Sequence, residues 1–197
     1  EWNVKVTKKD LPETIDKISN ELTPMVATAR IIKEDHPDAG VVFIGPCASK
    51  KLEASRRTVR SDVDFVITFE ELTGMFEAKG ILLEEIQAMD ELKGATGAGR
   101  GYGIAGGVAS AIESYIKENY PEVDVNIEHA ESLSECKKML MLAKAGKKNG
   151  CLIEGMACPG GCVAGAGTNI PIVQATKELT AFKNAAEKQL PNAEDYK

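Results

Sequence analysis

A chain of 197 residues with 43% hydrophobic content, 5% aromatic content and a formal net charge of −6 is long enough to bury a sizeable core. It is too acidic for non-specific attachment to nucleic acid or an anionic membrane. No apolar run approaches the length of a bilayer-spanning helix, and Glu1–Trp2–Asn3–Val4–Lys5 has no apolar signal core, so a cytoplasmic protein without membrane insertion or a nucleic-acid partner is expected. Five cysteines, an odd number without a secretory signal, fit reduced thiols or metal ligands better than a disulfide framework. The chain lacks an initiator Met and a short polar lead runs straight into helix-like sequence, which suggests an excised fragment.

In chain order, Asp10 before Leu11–Pro12 and an apolar spacing at Leu11, Ile15 and Ile18 predict a capped helix ending near Asn20. Thr23–Pro24 opens a second helix with Met25, Ala29 and Ile32 on one face, stopped at His36–Pro37. Val41–Val42–Phe43–Ile44 is a continuous apolar run of the kind expected for a strand buried on both faces, and Gly45–Pro46–Cys47 follows it. A charged helical stretch from Lys50 to Arg57, a strand at Val63–Ile67 and a capping-box helix from Thr68 to a Gly80 stop continue a β-α-β-α order. Ile81–Leu82–Leu83 reads as a short extension or strand, and the glycine-rich Gly94–Gly103 as a loop. Beyond it come a helix from Ala105 to Asn119, a less buried strand at Val123–Glu128, a helix from Ser132 to Lys144, a short strand at Cys151–Glu154 and a polar helix from Gln174 to about Leu190. The pattern is α/β, a mainly parallel sheet flanked by helices.

The stretch Glu154–Gly155–Met156–Ala157–Cys158–Pro159–Gly160–Gly161–Cys162 places two thiols in a glycine-rich loop. Glycines there let the backbone approach a bulky ligand, and Pro159 stiffens the loop between the sulfurs. Cys47 and the pair Cys158 and Cys162 all follow the C-terminal ends of predicted strands, where open α/β sheets bind ligands. Three soft ligands imply zinc or an iron–sulfur cluster. His36 and His129 lie in neither loop, which favours the cluster over a closed zinc site.

Gly45–Pro46–Cys47–Ala48–Ser49–Lys50–Lys51–Leu52–Glu53 together with the Glu154–Gly167 stretch resembles two signature motifs of [FeFe] hydrogenases, M-P-C-x-x-K-x-x-E and E-x-M-A-C-x-x-G-C-x-x-G-x-G. The Asp64–Leu72 segment between them is also family-like, and the similarity runs to about Thr168. The resemblance implies a two-lobed iron-hydrogenase-like architecture, present in part, with residues 1–197 forming most of one H-cluster domain and no separate second domain. It implies that Cys47, Cys158 and Cys162 ligate a [4Fe-4S] cubane and that Cys162 also bridges to a diiron subcluster carrying CO, cyanide and a dithiolate. Lys50 would donate to a cyanide, Met156 would pack beside the diiron unit, and Tyr102–Gly103 would line the pocket. The implied parent activity is reversible oxidation of H2 and reduction of protons, or hydrogen sensing. The implied partners are a redox protein such as ferredoxin, or fused iron–sulfur or sensor domains, and maturation factors.

Three departures qualify that picture. The family's first cysteine signature, which supplies the fourth cubane ligand and the proton-relay thiol, has no counterpart here, so the chain is expected to start after it, to be inactive alone, and to be apo or to hold an incomplete cluster. Gly45 stands where the family has a methionine, and Thr168–Asn169 departs from its G-Q-P. With the compact Glu131–Gly150 region, these two changes resemble the branch proposed to sense hydrogen. A non-catalytic iron–sulfur module for assembly or signalling is the alternative.

Blander readings apply elsewhere. Cys136 reads as core. Cys151 reads as a small buried hydrophobe, and is also the nearest local substitute for a fourth ligand. Gly101–Gly106 matches G-x-G-x-x-G with acids at Asp124 and Glu128, but no strand precedes it, so close backbone packing is expected rather than a dinucleotide site.

Overall fold

The computed structural model of the chain describes residues 11–56, 60–87 and 94–192. It divides into two compact units, one running to Ile86 with Gly165–Asn169 added, the other comprising Gln87–Ala164 and the chain from Ile170. Each unit holds one two-stranded parallel sheet with helices against it, which is the mixed α/β class with parallel strands that the pattern predicts.

In the first unit the expected opening helix is only a 3-10 turn at Pro12–Lys17. Leu11 supplies no capping side chain, and the buried Thr14 hydroxyl donates back to Leu11 O at 2.8 Å, a local bond that competes with helix extension. The predicted cap Asp10 lies outside the described residues. Helix α1 (Pro24–Asp35) starts where expected, with Pro24 in its first turn and Thr23 Oγ1 accepting from Val26 N. Its Met25, Val26 and Ala29 form the core with Val63, and Val41, Phe43, Ala54 and Val66 pack around them.

Strand β1 (Val42–Ile44), helix α2 (Ser49–Ser55) and strand β2 (Phe65–Ile67) form a β-α-β unit, paired in parallel as Val42↔Phe65, Phe43↔Val66 and Ile44↔Ile67. The expectation that β1 is buried on both faces is not met, since Val42 is 47% and Ile44 44% exposed. Phe43 turns towards the core cluster, and with successive side chains on opposite faces of a strand its two neighbours must point away. Arg57, the predicted end of α2, lies outside the described residues. Helix α3 (Phe69–Ala78) has both arms of the predicted capping box, Thr68 N donating to Glu71 Oε2 at 2.9 Å and Glu71 N to Thr68 Oγ1 at 3.2 Å. The helix stops before Gly80, which holds φ +67°. Ile81–Leu83 forms no strand, and a 3-10 turn at Leu83–Glu85 follows.

The second unit begins with the glycine-rich segment, and here the loop expectation is corrected. Residues Gly97–Arg100 form a short helix, α4, and Gly101–Gly103 a 3-10 turn. Glycines cost about 1 kcal/mol each in a helix relative to alanine, and tertiary bonds offset this. Thr96 caps the turn through Gly99 N at 3.1 Å, Gly97 N donates to Lys188 O at 2.8 Å and Ala98 N to Gln189 O at 2.9 Å. The Arg100 guanidinium lies 4.0 Å from the centroid of the Phe182 ring.

Helix α5 (Gly107–Asn119), strand β3 (Asn126–Glu131), helix α6 (Leu133–Lys144), strand β4 (Cys151–Met156) and helix α7 (Ile172–Asn184) complete the unit. Strand β3 lies three residues beyond its predicted start. The Val123–Val125–Ile127 alternation marks apolar positions, but pairing fixes the strand: β3 and β4 match over six residues from Asn126↔Cys151 to Glu131↔Met156. Cys136 on α6 is 4% exposed, as a core residue should be.

Candidate metal centre

In the first unit, Cys47 sits in the loop that leaves the C-terminal end of β1, and its carbonyl accepts from Lys50 N at 3.2 Å as α2 begins. The preceding Gly45 N donates to Ile67 O at 3.1 Å. A Cβ on Gly45 would stand 2.8 Å from the Phe43 ring, so the space a larger residue would need at this position is filled by Phe43. Lys50 is held by Glu53, with Nζ 2.7 Å from Oε2, and Thr23 Oγ1 donates to the other oxygen, Oε1.

The residues just after the Cys162 loop also belong to this unit. Gly167 N donates to Pro46 O at 3.0 Å, Glu70 N donates to Gly167 O at 3.3 Å, and a Cβ at Gly167 would lie 2.4 Å from Thr68 Cβ. Asn169 Nδ2 donates to Phe69 O at 3.2 Å and to Thr73 Oγ1 at 2.8 Å. The Gly165–Asn169 segment is thereby stitched to the neighbour of Cys47 and to the start of α3.

In the second unit β4 delivers Cys158 and Cys162. Gly161 N donates to Cys158 O at 2.9 Å, closing a turn between the thiols, and Ala164 N donates to Gly161 O at 3.1 Å. Gly160 and Gly161 hold φ +92° and +95°, in the left-handed region that favours glycine. Gly160 N donates to the Glu131 carboxylate at 2.8 Å, while Ala105 N donates to Gly160 O at 3.1 Å. A Cβ on Gly161 would meet Gly103 O at 2.8 Å, and one on Gly107 would meet Gly101 O at 2.0 Å. The Gly101–Gly106 motif is therefore a close backbone packing surface under the cysteine loop, and what precedes it is a helical turn and not the strand a dinucleotide site requires.

Of the other predicted residues, Met156 ends β4, and its carbonyl accepts from Ser132 N at 2.8 Å. Gly103 lies against Leu179 as well as the loop. Tyr102 lines a cavity of about 260 Å³ with Thr96, Ala111, Ile112 and Tyr115. None of the five cysteines is joined in a disulfide. Burial, reinforced by the Glu135 carboxylate, pushes the Cys136 thiol above its ordinary range. The structure brings Lys50 to Glu53 beside Cys47, and Gly103 to the Cys158–Cys162 loop.

Three acids escaped the sequence reading. Glu53 and Glu154 were visible only as letters of the motifs, and Glu131 had no signal at all. Glu154 faces His129 across the parallel pair, with His129 Nδ1 3.4 Å from Oε2. That same Oε2 accepts from Ala109 N in the first turn of α5 at 3.4 Å, a favourable place for a carboxylate. The Glu154 side chain is 7% exposed, and its Oε1 has no hydrogen-bond partner among the described residues.

Among the described residues no three His, Cys, Asp or Glu side chains form a ready-made site for a single ion. Each unit by itself carries thiols on a loop leaving the C-terminal end of a parallel strand, soft donors of the kind an iron–sulfur cluster takes.

Comparison with known proteins gives a consistent result. A family model, that of the iron only hydrogenase large subunit, C-terminal domain, matches residues 2–166. The periplasmic [Fe] hydrogenase large subunit of Nitratidesulfovibrio vulgaris is 31% identical over 172 residues, covering 71% of this chain and 41% of that protein. A probable cytosolic Fe-S cluster assembly factor of Culex quinquefasciatus is 29% identical over 191 residues, covering 76% of this chain and 40% of that protein. Among solved structures, an [FeFe]-hydrogenase variant from Chlamydomonas reinhardtii superimposes with a TM-score of 0.65 at 22% identity, covering 96% of this chain and 66% of that one, and so shares the fold. The chain spans less than half the length of these two curated relatives.

Proposed function

Because the chain belongs to the family of the iron only hydrogenase large subunit, C-terminal domain, we propose that it is the H-cluster-binding domain of a protein that interconverts protons and hydrogen or senses hydrogen. The observation that carries this reading is the placement of Cys47 and of the Cys158–Cys162 pair on loops leaving the C-terminal ends of parallel strands, with Lys50 one helical turn beyond Cys47.

In this reading Cys47, Cys158 and Cys162 would hold the iron–sulfur cofactor, a [4Fe-4S] cubane with its diiron unit. When bound, that cofactor supplies the iron chemistry of hydrogen and a basic group of its own. The protein's part is to bind, orient and exclude water. Lys50 presents an ammonium to an anionic ligand of the cofactor, and Met156, Tyr102 and Gly103 line the site. Gly160 and Gly161 let the backbone approach closely, and Glu131 pins the loop through Gly160 N. With only three cubane thiols assigned among these residues, the chain alone is expected to be inactive and to hold a partial cluster at most. An electron partner such as ferredoxin or a fused iron–sulfur domain, and maturation factors, complete the proposal. No described helix is long and apolar enough to cross a membrane; the cytoplasmic location we propose rests on the reading of the five cysteines as reduced thiols or metal ligands.

Iron, sulfide and infrared analysis of the longer parent, matured with its assembly factors, tests this. Bands of iron-bound CO and cyanide are expected. A cluster without those bands would replace this reading with the second one, an iron–sulfur module for assembly, which the likeness to the Culex assembly factor favours.

A further inference from the structure

A buried carboxylate is costly unless both oxygens are partnered, and Glu53 is 6% exposed. Its two partners come from different helices. Oε2 takes Lys50 Nζ at 2.7 Å, an i,i+3 pair on α2, and Oε1 takes the hydroxyl proton of Thr23 at the head of α1. A lysine head on a flexible four-carbon stem is poorly fixed by a single neighbour on its own helix. Here the neighbour cannot swing, because its other oxygen is tied to a second element. The Thr23 hydroxyl has one proton, and it goes to Glu53, while a lone pair accepts from Val26 N.

We infer that Thr23 is a positioning residue for Lys50, acting through Glu53. The capping residue of α1 sets the rotamer of the Glu53 carboxylate, which fixes the Lys50 ammonium and leaves two of its N–H groups to point at an anionic ligand. The inference deepens the function proposed above, resting on it only for what that ligand is.

The test separates capping from donation. Aspartate caps a helix as well as threonine does but, ionised, cannot donate to Glu53. Valine keeps the shape of threonine and neither caps nor donates, and serine does both. The readout on the full 197-residue chain is water exchange of the Lys50 ammonium protons by 15N-resolved NMR. Thr23→Asp and Thr23→Val are each expected to speed exchange by about fivefold, the equivalent of one net hydrogen bond, with Thr23→Ser at the parent rate. Unchanged exchange in either Thr23→Asp or Thr23→Val overturns the proposal. The companion measurement is the cyanide bands of the matured parent in Lys50→Met. If they do not move, the assignment of Lys50 to the cofactor fails, while the exchange data still decide the role of Thr23.

Discussion

Gly161 rests against the backbone of Ala105: a Cβ added to it would lie 2.5 Å from the Ala105 nitrogen, and its own φ is +95°. Neither condition tolerates a side chain. Gly161→Ala is expected to destabilise the second unit by about 2 kcal/mol or more, read from urea unfolding. The same variant should retain less iron after chemical reconstitution than the parent chain, read by metal analysis.

Arg100 links the glycine-rich turn to the last helix. It stacks on Phe182, donates from Nη1 to Phe182 O at 3.0 Å and from Nε to Ala95 O at 3.0 Å. Arg100→Ala is expected to cost about 1–2 kcal/mol. Amide exchange at Gly97 and Ala98, whose N–H groups bond Lys188 O and Gln189 O, should accelerate in this variant more than exchange within β3 and β4.

Two exposed carboxylates give the first unit an acid sensitivity. Asp64 is held below the ordinary carboxylate range by the Val41 backbone N–H and then by Lys33, and Glu71 by Lys51 and then by the Thr68 backbone N–H. A carboxylate with a lowered folded-state pKa contributes stability that is present above its unfolded value and is lost as pH falls through the folded one. Thermal stability should therefore hold from neutrality down to about pH 5 and decline below about pH 4. Asp64→Asn and Glu71→Gln should each flatten that decline in a melting series against pH.

The thiols should separate by reactivity. Cys136 is buried, with its thiol pushed up in pKa by that burial, whereas Cys47, Cys158 and Cys162 are half-buried on loops. Iodoacetamide at pH 7.5 should modify the three loop cysteines first and Cys136 last, as followed by peptide mass spectrometry. Early modification of Cys136 would show that α6 opens readily from the β3–β4 sheet.

What the sequence made legible was whatever rests on local chemistry. The Thr68–Glu71 capping box, the Thr23–Pro24 helix start and the Gly80 stop depend on residues within one turn of each other, and each stands in the structure. The cysteine loops were legible as motifs. Elements decided by distant partners were not: α4 depends on Lys188 and Gln189, β3 takes its register from β4, and Val42 and Ile44 are exposed because only the Phe43 face of β1 meets the core. Glu131 and Glu154 were missed for the same reason, since their partners Gly160 and Ala109 lie 29 and 45 residues away.

The bonds from Gly97 and Ala98 to Lys188 and Gln189 also set an order of events during synthesis. Contacts between residues far apart in sequence must wait for the later partner, and they slow the final steps of folding. The glycine turn beneath the cysteine loop cannot be completed until α7 and the residues after it have left the ribosome. Iron offered earlier would meet the Cys158–Cys162 loop on an unfinished floor, so a cluster in the proposed site is expected to be inserted only after α7 has docked.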